Sequence, residues 1–330
     1  MPGVPASATQ RGLRALVPFI ATSCSRIGSV SSTGTVPSGC AVVSDQWKDT
    51  RYWVQQTPQP MQGLLMTEIN APAASRLSAD GGLHMSGLPG VLDGEGLRPW
   101  LAPTGFLDCD DPAIRGFVDR VLGGESSARL KAVRLFYAVR DGIRYDPYTI
   151  SFDPLSYRAS SVLAAGSGWC VPKAVLLAAC ARAAGIPSAI GLADVMNHMN
   201  TEKLRQRMGG TDVFYDHGYA ALLIEGRWVK AVPAFNIELC ERFGVRPTEF
   251  DGTADALYQE FDADNRRRMA YLADHGTWSD LPLAKVREDF ARHYPPELFT
   301  GHEQATLPGR DAKPSGPDAG GRFEDDAPLR

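Results

Sequence analysis

Between Val171 and Ala184 the chain is nearly all apolar, and this run restricts the fold more than any other segment. Ala174, Ala178, Ala179 and Ala181 lie among Val175, Leu176 and Leu177, a composition of strong helix formers with enough small side chains to permit tight burial. Gly166-Ser167-Gly168 precedes the run, and Gly185-Ile186-Pro187 is a clear stop. Pro172 stands in the opening turn, where its missing N–H costs nothing. The spacing predicts a buried central helix that the remaining elements must cover.

Those elements are partly readable. Asp111-Pro112-Ala113-Ile114 opens a helix whose apolar face is Ile114, Phe117, Val118, Val121 and Leu122. A second amphipathic helix runs through Leu130, Val133, Leu135, Phe136 and Val139 and ends near Gly142, and Arg158 to Ala165 reads as a short third one. After the central helix, Ser188 to Leu192 is a buried strand, and Tyr219 to Ile224 with Arg227 to Val232 flank a Glu225-Gly226 hairpin turn. Helices first and an antiparallel sheet afterwards predict an α+β fold. Residues 254–273 and 283–294 read as two further surface helices, so 241–300 is expected to be a helical extension of a core at 98–240. Residues 1–90 are rich in Ser, Gly, Pro and Ala and read as a poorly structured arm, with a weak strand signal at 63–69 and a mis-assigned start, at Met61 or Met85, as one explanation. The Pro-, Gly- and Asp-rich residues from 303 onward read as a disordered tail.

A thiol attacks carbonyl carbon as thiolate, and the N–H groups at a helix start favour that anion. Cys170 occupies such a start, with Gly166 and Gly168 before it, and the same N–H groups suit the oxyanion of a tetrahedral intermediate. Cys24, Cys40, Cys109, Cys180 and Cys240 carry no such context and read as buried small hydrophobes. A thiol also needs an imidazole on a rigid element. His84 and His302 fall in loops or tails, His275 and His293 among charged surface helices, and His198 in a polar connection. His217 enters the hairpin strand and is followed by Gly218, which leaves room for substrate.

Gly168-Trp169-Cys170, Ala174 and Ala181-Arg182-Ala183-Ala184-Gly185-Ile186-Pro187 resemble the nucleophile segment of the transglutaminase-like superfamily. His217-Gly218-Tyr219, followed by Gly226-Arg227-Trp228-Val229 and Pro233, is similar to that family's histidine strand and its partner. Tyr137 to Tyr145 resembles the helix before the core, and the likeness runs from about 98 to 240. It implies a papain-like core of helices packed on an antiparallel sheet and a Cys–His–Asp triad, with Gly168 and Trp169 beside the oxyanion and substrate. In this chain the acidic position before Pro233 is Val232, which neither accepts a hydrogen bond nor orients an imidazole. Asn236 is the favoured substitute, since asparagine orients histidine in papain-like sites. Asn197 is a further one, while Asp216, next to His217 in a strand, is expected to point to the opposite face.

The expected activity is acyl chemistry on an amide or peptide carbonyl through a Cys170 thioester, with hydrolysis favoured over cross-linking and a peptide or protein as substrate. The alternative is a binding module that kept the fold and lost the chemistry. A metal hydrolase built on His198 lacks ligand spacing, and the reading requires no cofactor or metal. With 34 basic and 38 acidic residues and no basic stripe interleaved with aromatics, nucleic acid is not an expected partner. Nor is a membrane, because no apolar run approaches the ~18 residues of a span. Arg11 and Arg14 before Leu16 to Ala21, with Ala21-Thr22-Ser23-Cys24, resemble a lipoprotein signal, but the apolar stretch is short and holds Pro18, so the expected location is the cytoplasm. The Arg- and Lys-rich stretch from Glu202 to Gly210 is expected to be a solvated helix rather than a lid, and Trp169, Tyr219 and Trp228 are candidates to line the cleft, although aromatic residues beside a core more often serve as packing.

Overall fold

In a computed structural model of the chain, residues 75–77, 83–90, 92–197, 200–257, 269–295, 298 and 322–326 are described. Their elements begin with β1 (Ser75–Leu77), β2 (Leu83–Met85), α1 (Gly94–Leu97), α2 (Pro112–Leu122), α3 (Ala128–Gly142), β3 (Arg144–Tyr145), α4 (Ala159–Ala165) and β4 (Ser167–Gly168). They continue with α5 (Cys170–Ala183), β5 (Ser188–Asn197), α6 (Glu202–Arg207), β6 (Val213–Ile224), β7 (Arg227–Ala231), α7 (Ile237–Phe243), β8 (Met269–Trp278) and α8 (Leu283–His293).

The architecture is α+β, as the order of helical and strand patterns predicts. Six strands form one antiparallel sheet in the order β1-β2-β8-β5-β6-β7, and β3 and β4 make a short parallel pair beside it. Local chemistry sets the ends. The Asp111 carboxylate accepts from the Ala113 N–H at 2.8 Å to start α2, with Pro112 in its first turn, and Gly123 ends it in a left-handed conformation. Glu225 and Gly226 have φ of 51° and 81°, the left-handed pair that a tight hairpin between β6 and β7 requires.

Helix α5 is buried along its length, with α2, α3 and α4 around it and β5 and β6 beneath. Two charged residues inside it are buried because helix and loop ends supply them with carbonyls. Arg182 donates to the carbonyls of Ala102, Ser188 and Ser279, which ties α5 to both strand-end loops. Lys173, fully buried, donates to the carbonyls of Arg140 (2.9 Å) and Ile143 at the end of α3. Burial pushes its ammonium down to about 7. Charged or neutral, the amine keeps at least two N–H bonds for two carbonyls. Lys173→Ala therefore removes two buried hydrogen bonds and opens a cavity, and denaturant unfolding is expected to show a loss of about 3 kcal/mol or more.

Four sequence expectations are corrected here: within the stretch read as a disordered tail, Phe323–Asp325 forms a short 3-10 helix with Phe323 buried. The helix expected over 254–273 is contradicted at its end, where Met269–Trp278 is β8, joining β2 to β5 in mid-sheet. His275 accordingly lies in a strand and not in a surface helix. The segment assigned to an unstructured arm supplies β1 and β2, which pair with each other and, through β2, with β8. The helix over 283–294 is present as α8. The weak strand signal at 63–69 lies outside the described residues.

Candidate active site

Cys170 is the first residue of α5 and only 2% exposed. The residue before it, Trp169, is extended and offers no side-chain cap, so the helix's first N–H groups are left for another acceptor. The sulfur takes that place: the N–H groups of Cys170 itself, Val171 and Gly218 are directed at it. Two come from the helix start and one from β6, so the thiol sits where α5 abuts the strand. The strand approaches this closely because residue 218 is glycine. A Cβ there would lie 2.7 Å from Val171 Cα and 3.1 Å from Val171 N. His217, the residue before Gly218, is thereby carried to the same junction, buried to 4% exposure.

The electrostatics differ from an exposed thiolate site. Burial pushes the Cys170 thiol up to about 12, against the lowering by the three N–H groups. Burial also pushes the His217 imidazole down to about 3. Both groups are therefore neutral near pH 7, and the anion expected from the helix start is outweighed by desolvation. The sign of the pH dependence follows. Thiolate is the reactive form, so Cys170 alkylation should rise about tenfold per pH unit from pH 6 to 10 with no plateau. A plateau near neutral pH in a rate profile with iodoacetamide would instead mark a preformed thiolate–imidazolium pair.

A small cavity of about 20 Å³ faces the sulfur, room for about one water. Its walls are apolar and aromatic: Trp169 beside Cys170, Tyr145 and Pro147 on one side, Leu204 and Met208 on another, Phe290 and Tyr294 of the α8 end on a third. The stretch around α6, expected to be merely solvated, thus turns Leu204 and Met208 inward over the thiol while Glu202 stays exposed. Trp169 lines the cavity and packs on Phe290 with ring centroids 5.5 Å apart. Gly168, in β4, accepts from the Asp146 N–H at 3.0 Å, and a Cβ on it would meet Pro172 Cγ at 3.3 Å. Tyr219 and Trp228 do not line the cavity: the Tyr219 ring covers Gly191 and donates to Asp274 at 3.0 Å, and Trp228 packs on Trp100.

Three residues are candidates for the imidazole's third partner. Asn236, at the start of α7, accepts from the Tyr145 N–H at 3.0 Å and donates to Glu238 at 2.7 Å, so its amide faces groups other than His217. Val232, buried, follows directly on β7, and extending the Ala220–Ala231 register by one step puts it opposite Tyr219. Asn197 is buried at the end of β5, where its N–H donates to the Asp212 carbonyl. Asp216 departs from the alternation used to dismiss it. Its φ is 52° and the β5–β6 register shifts between Ala193 and Val195, a bulge across which successive side chains no longer alternate. Its carboxylate is buried and paired with Lys285 Nζ at 2.5 Å, and its negative charge is among the influences that raise the Cys170 thiol.

Among the described residues one group has the donors of a metal site: Asp194, Asp216 and His275, with ligand-type atoms within 4.8 Å of one another. His275 Nε2 lies 2.9 Å from Asp194, and the Lys285 ammonium, bridging Asp216 and Asp289, already supplies positive charge there. His198 and His302 lie outside the described residues. His84 packs on Trp278 with the rings tilted by 35°, and His293 stacks on Tyr215, a residue that lines the Cys170 cavity. Among the described residues no helix is long and apolar enough to cross a membrane.

Residues 115–233 match the family model described as Transglutaminase-like superfamily. Among solved structures the chain is similar to a proposed cysteine protease from Cytophaga hutchinsonii, with 15% identity and a TM-score of 0.34 over 58% of this chain and 56% of that one. It is also similar to a proposed protease from Parabacteroides distasonis, with 17% identity and a TM-score of 0.26 over 36% of this chain and 22% of that one. The chain spans less than two thirds of either. No curated protein matches it.

Proposed function

We propose, taking the transglutaminase-like match over residues 115–233 as premise, that this protein is a thiol hydrolase of amide or peptide bonds, with Cys170 as nucleophile and His217 as its base. One observation carries the reading: three N–H groups, from Cys170, Val171 and Gly218, converge on one sulfur at the start of a buried helix. The arrangement that stabilises a thiolate also suits the oxygen that becomes negative when a carbonyl is attacked. His217 takes the thiol proton as the S–C bond forms and the carbonyl π pair moves to oxygen. The tetrahedral adduct collapses, the C–N bond breaks, and the same proton leaves with the amine. Water then attacks the thioester, His217 accepts its proton, the S–C bond breaks to free the acid, and the imidazolium returns that proton to the sulfur. Gly168 and Trp169 form the floor of the acyl site in this reading, and Asn236 fixes the α7 start beside it without touching the ring.

Hydrolysis is preferred to cross-linking because, among the described residues, the apolar and aromatic lining of the cavity at the sulfur offers no acidic side chain to hold a second amine. The test is a mixture of short synthetic peptides incubated in heavy-oxygen water with added methylamine. Heavy oxygen in a new carboxylate supports the proposal; methylamide products assign the chain to acyl transfer instead. A buried valine at the family's acidic position favours a second reading, a peptide-binding module without turnover. That reading predicts peptide retention on the immobilised protein with neither product.

A further inference from the structure

Tyr145 and Pro147 form one wall of the Cys170 cavity, and Leu204 and Met208, from α6 and its end, form another. What holds these walls together comes from the far end of the chain. Phe323, 3% exposed, packs its ring on Tyr145, Tyr148 and Phe243 with centroids 5.7, 5.7 and 5.5 Å away. Three residues on, the Asp326 carboxylate accepts from the Tyr148 hydroxyl and lies 3.9 Å from Lys203 Nζ of α6. One carboxylate thus bridges both walls. Arg242 fixes the same segment from α7, donating to the Glu324 carbonyl at 2.6 Å and to Asp325 at 2.9 Å. Lys203 and Arg207 of α6 also sit over the Tyr148 ring, at 4.7 and 4.9 Å, so the ring that Asp326 anchors is the one on which α6 rests.

We propose that Arg322–Asp326 is an autoinhibitory strap that clamps α6 over Cys170 and must lift before substrate reaches the sulfur. The inference rests on the functional reading only in taking Cys170 as the group being covered. Its contacts suit a reversible device. They consist of one buried ring and several partly exposed ion pairs on a five-residue segment, so it can release without the α5–sheet core opening. With the strap lifted, the walls part and water reaches the thiol, which removes the desolvation that keeps it neutral.

The experiment needs no substrate, so its failure is distinct from a failure of the hydrolase reading. The 330-residue chain and its Phe323→Ala and Asp326→Asn variants are treated with iodoacetamide at neutral pH, and labelling is followed by peptide mass mapping at Cys170 and Cys180. Cys180, fully buried in mid-α5, reports general loosening. Asp326→Asn leaves the Phe323 anchor in place, so its folded state is kept even if Phe323→Ala proves unstable. The strap predicts Cys170 labelling about tenfold faster in Asp326→Asn with Cys180 unchanged. A Cys170 rate equal to that of the unmodified chain overturns it. So does a rise shared by Cys180, which would make the segment an ordinary part of the folded core.

Discussion

Cys170→Ala is expected to reduce peptide hydrolysis by roughly a thousand-fold or more, the scale seen when a covalent nucleophile is removed. The size follows from chemistry, because among the described residues no other thiol lies at the junction to replace it. Cys109, Cys180 and Cys240 are buried elsewhere, and burial raises the pKa of each. Stability should change little. The substitution removes one sulfur beside an existing cavity, a cost of about 1 kcal/mol, visible as a small shift in the unfolding midpoint. Peptide affinity should be kept, since the aromatic walls remain. Equal turnover by the variant would assign the activity to another residue, and equal binding with no turnover by either protein would favour the binding module.

Gly218→Ala is expected to have the second largest effect, through geometry and not through chemistry. The added methyl would lie 2.7 Å from Val171 Cα and 3.0 Å from Val171 Cγ2, and the first of these atoms belongs to the backbone of the helix start. Neither backbone can rotate away, so β6 must move off α5. That displacement carries the Gly218 N–H off the sulfur and His217 with it. Hydrolysis should fall about a hundred-fold, the scale of a misplacement near 1 Å, and overpacking should cost about 1–3 kcal/mol in a denaturant melt. Gly168→Ala is the contrast: its methyl meets side chains alone, the Pro172 ring at 3.3 Å and Val162 Cγ1 at 3.6 Å, and should cost less in both measurements. If Gly218→Ala keeps full activity, the close contact of strand and helix is not what positions the base.

The sequence makes the centre of this fold readable because α5 and the β6–β7 hairpin are specified locally. A buried alanine-rich helix needs only composition and two glycine-rich ends, and the hairpin needs only alternation and the Glu225-Gly226 turn. Strand β8 is different. Its sequence Met-Ala-Tyr-Leu-Ala-Asp carries good helix formers, and several of its residues are exposed, so no period-two pattern marks it. Only pairing with β2 and β5, distant in sequence, makes it a strand. The orientation of Asp216 is hidden from the sequence for a related reason. Alternation along a strand is a sound rule until a bulge interrupts it, and the register shift opposite Asp194 is a tertiary property that leaves no mark in the residues. The position of Cys170 was legible, but its charge state was not. A helix start says where N–H groups point; how much water the sulfur sees depends on Leu204 and Met208 at α6, on Phe290 in α8 and, behind Tyr145, on Phe323, which come from three separate parts of the chain. Phe323 itself lies in a composition that signals disorder, and one aromatic residue among acidic neighbours cannot announce the nest of rings that receives it.

The claim on which the rest depends is that the acyl group passes through the Cys170 sulfur. It is tested most directly by mixing the Asp326→Asn chain with p-nitrophenyl acetate, quenching within the first turnover at acidic pH, and mapping the acetylated peptide by mass spectrometry. The account predicts one acetyl group per chain, on the peptide containing Cys170, and none there when His217 is replaced by alanine. Acetylation confined to lysines or to other cysteines, with Cys170 unmodified, would contradict it.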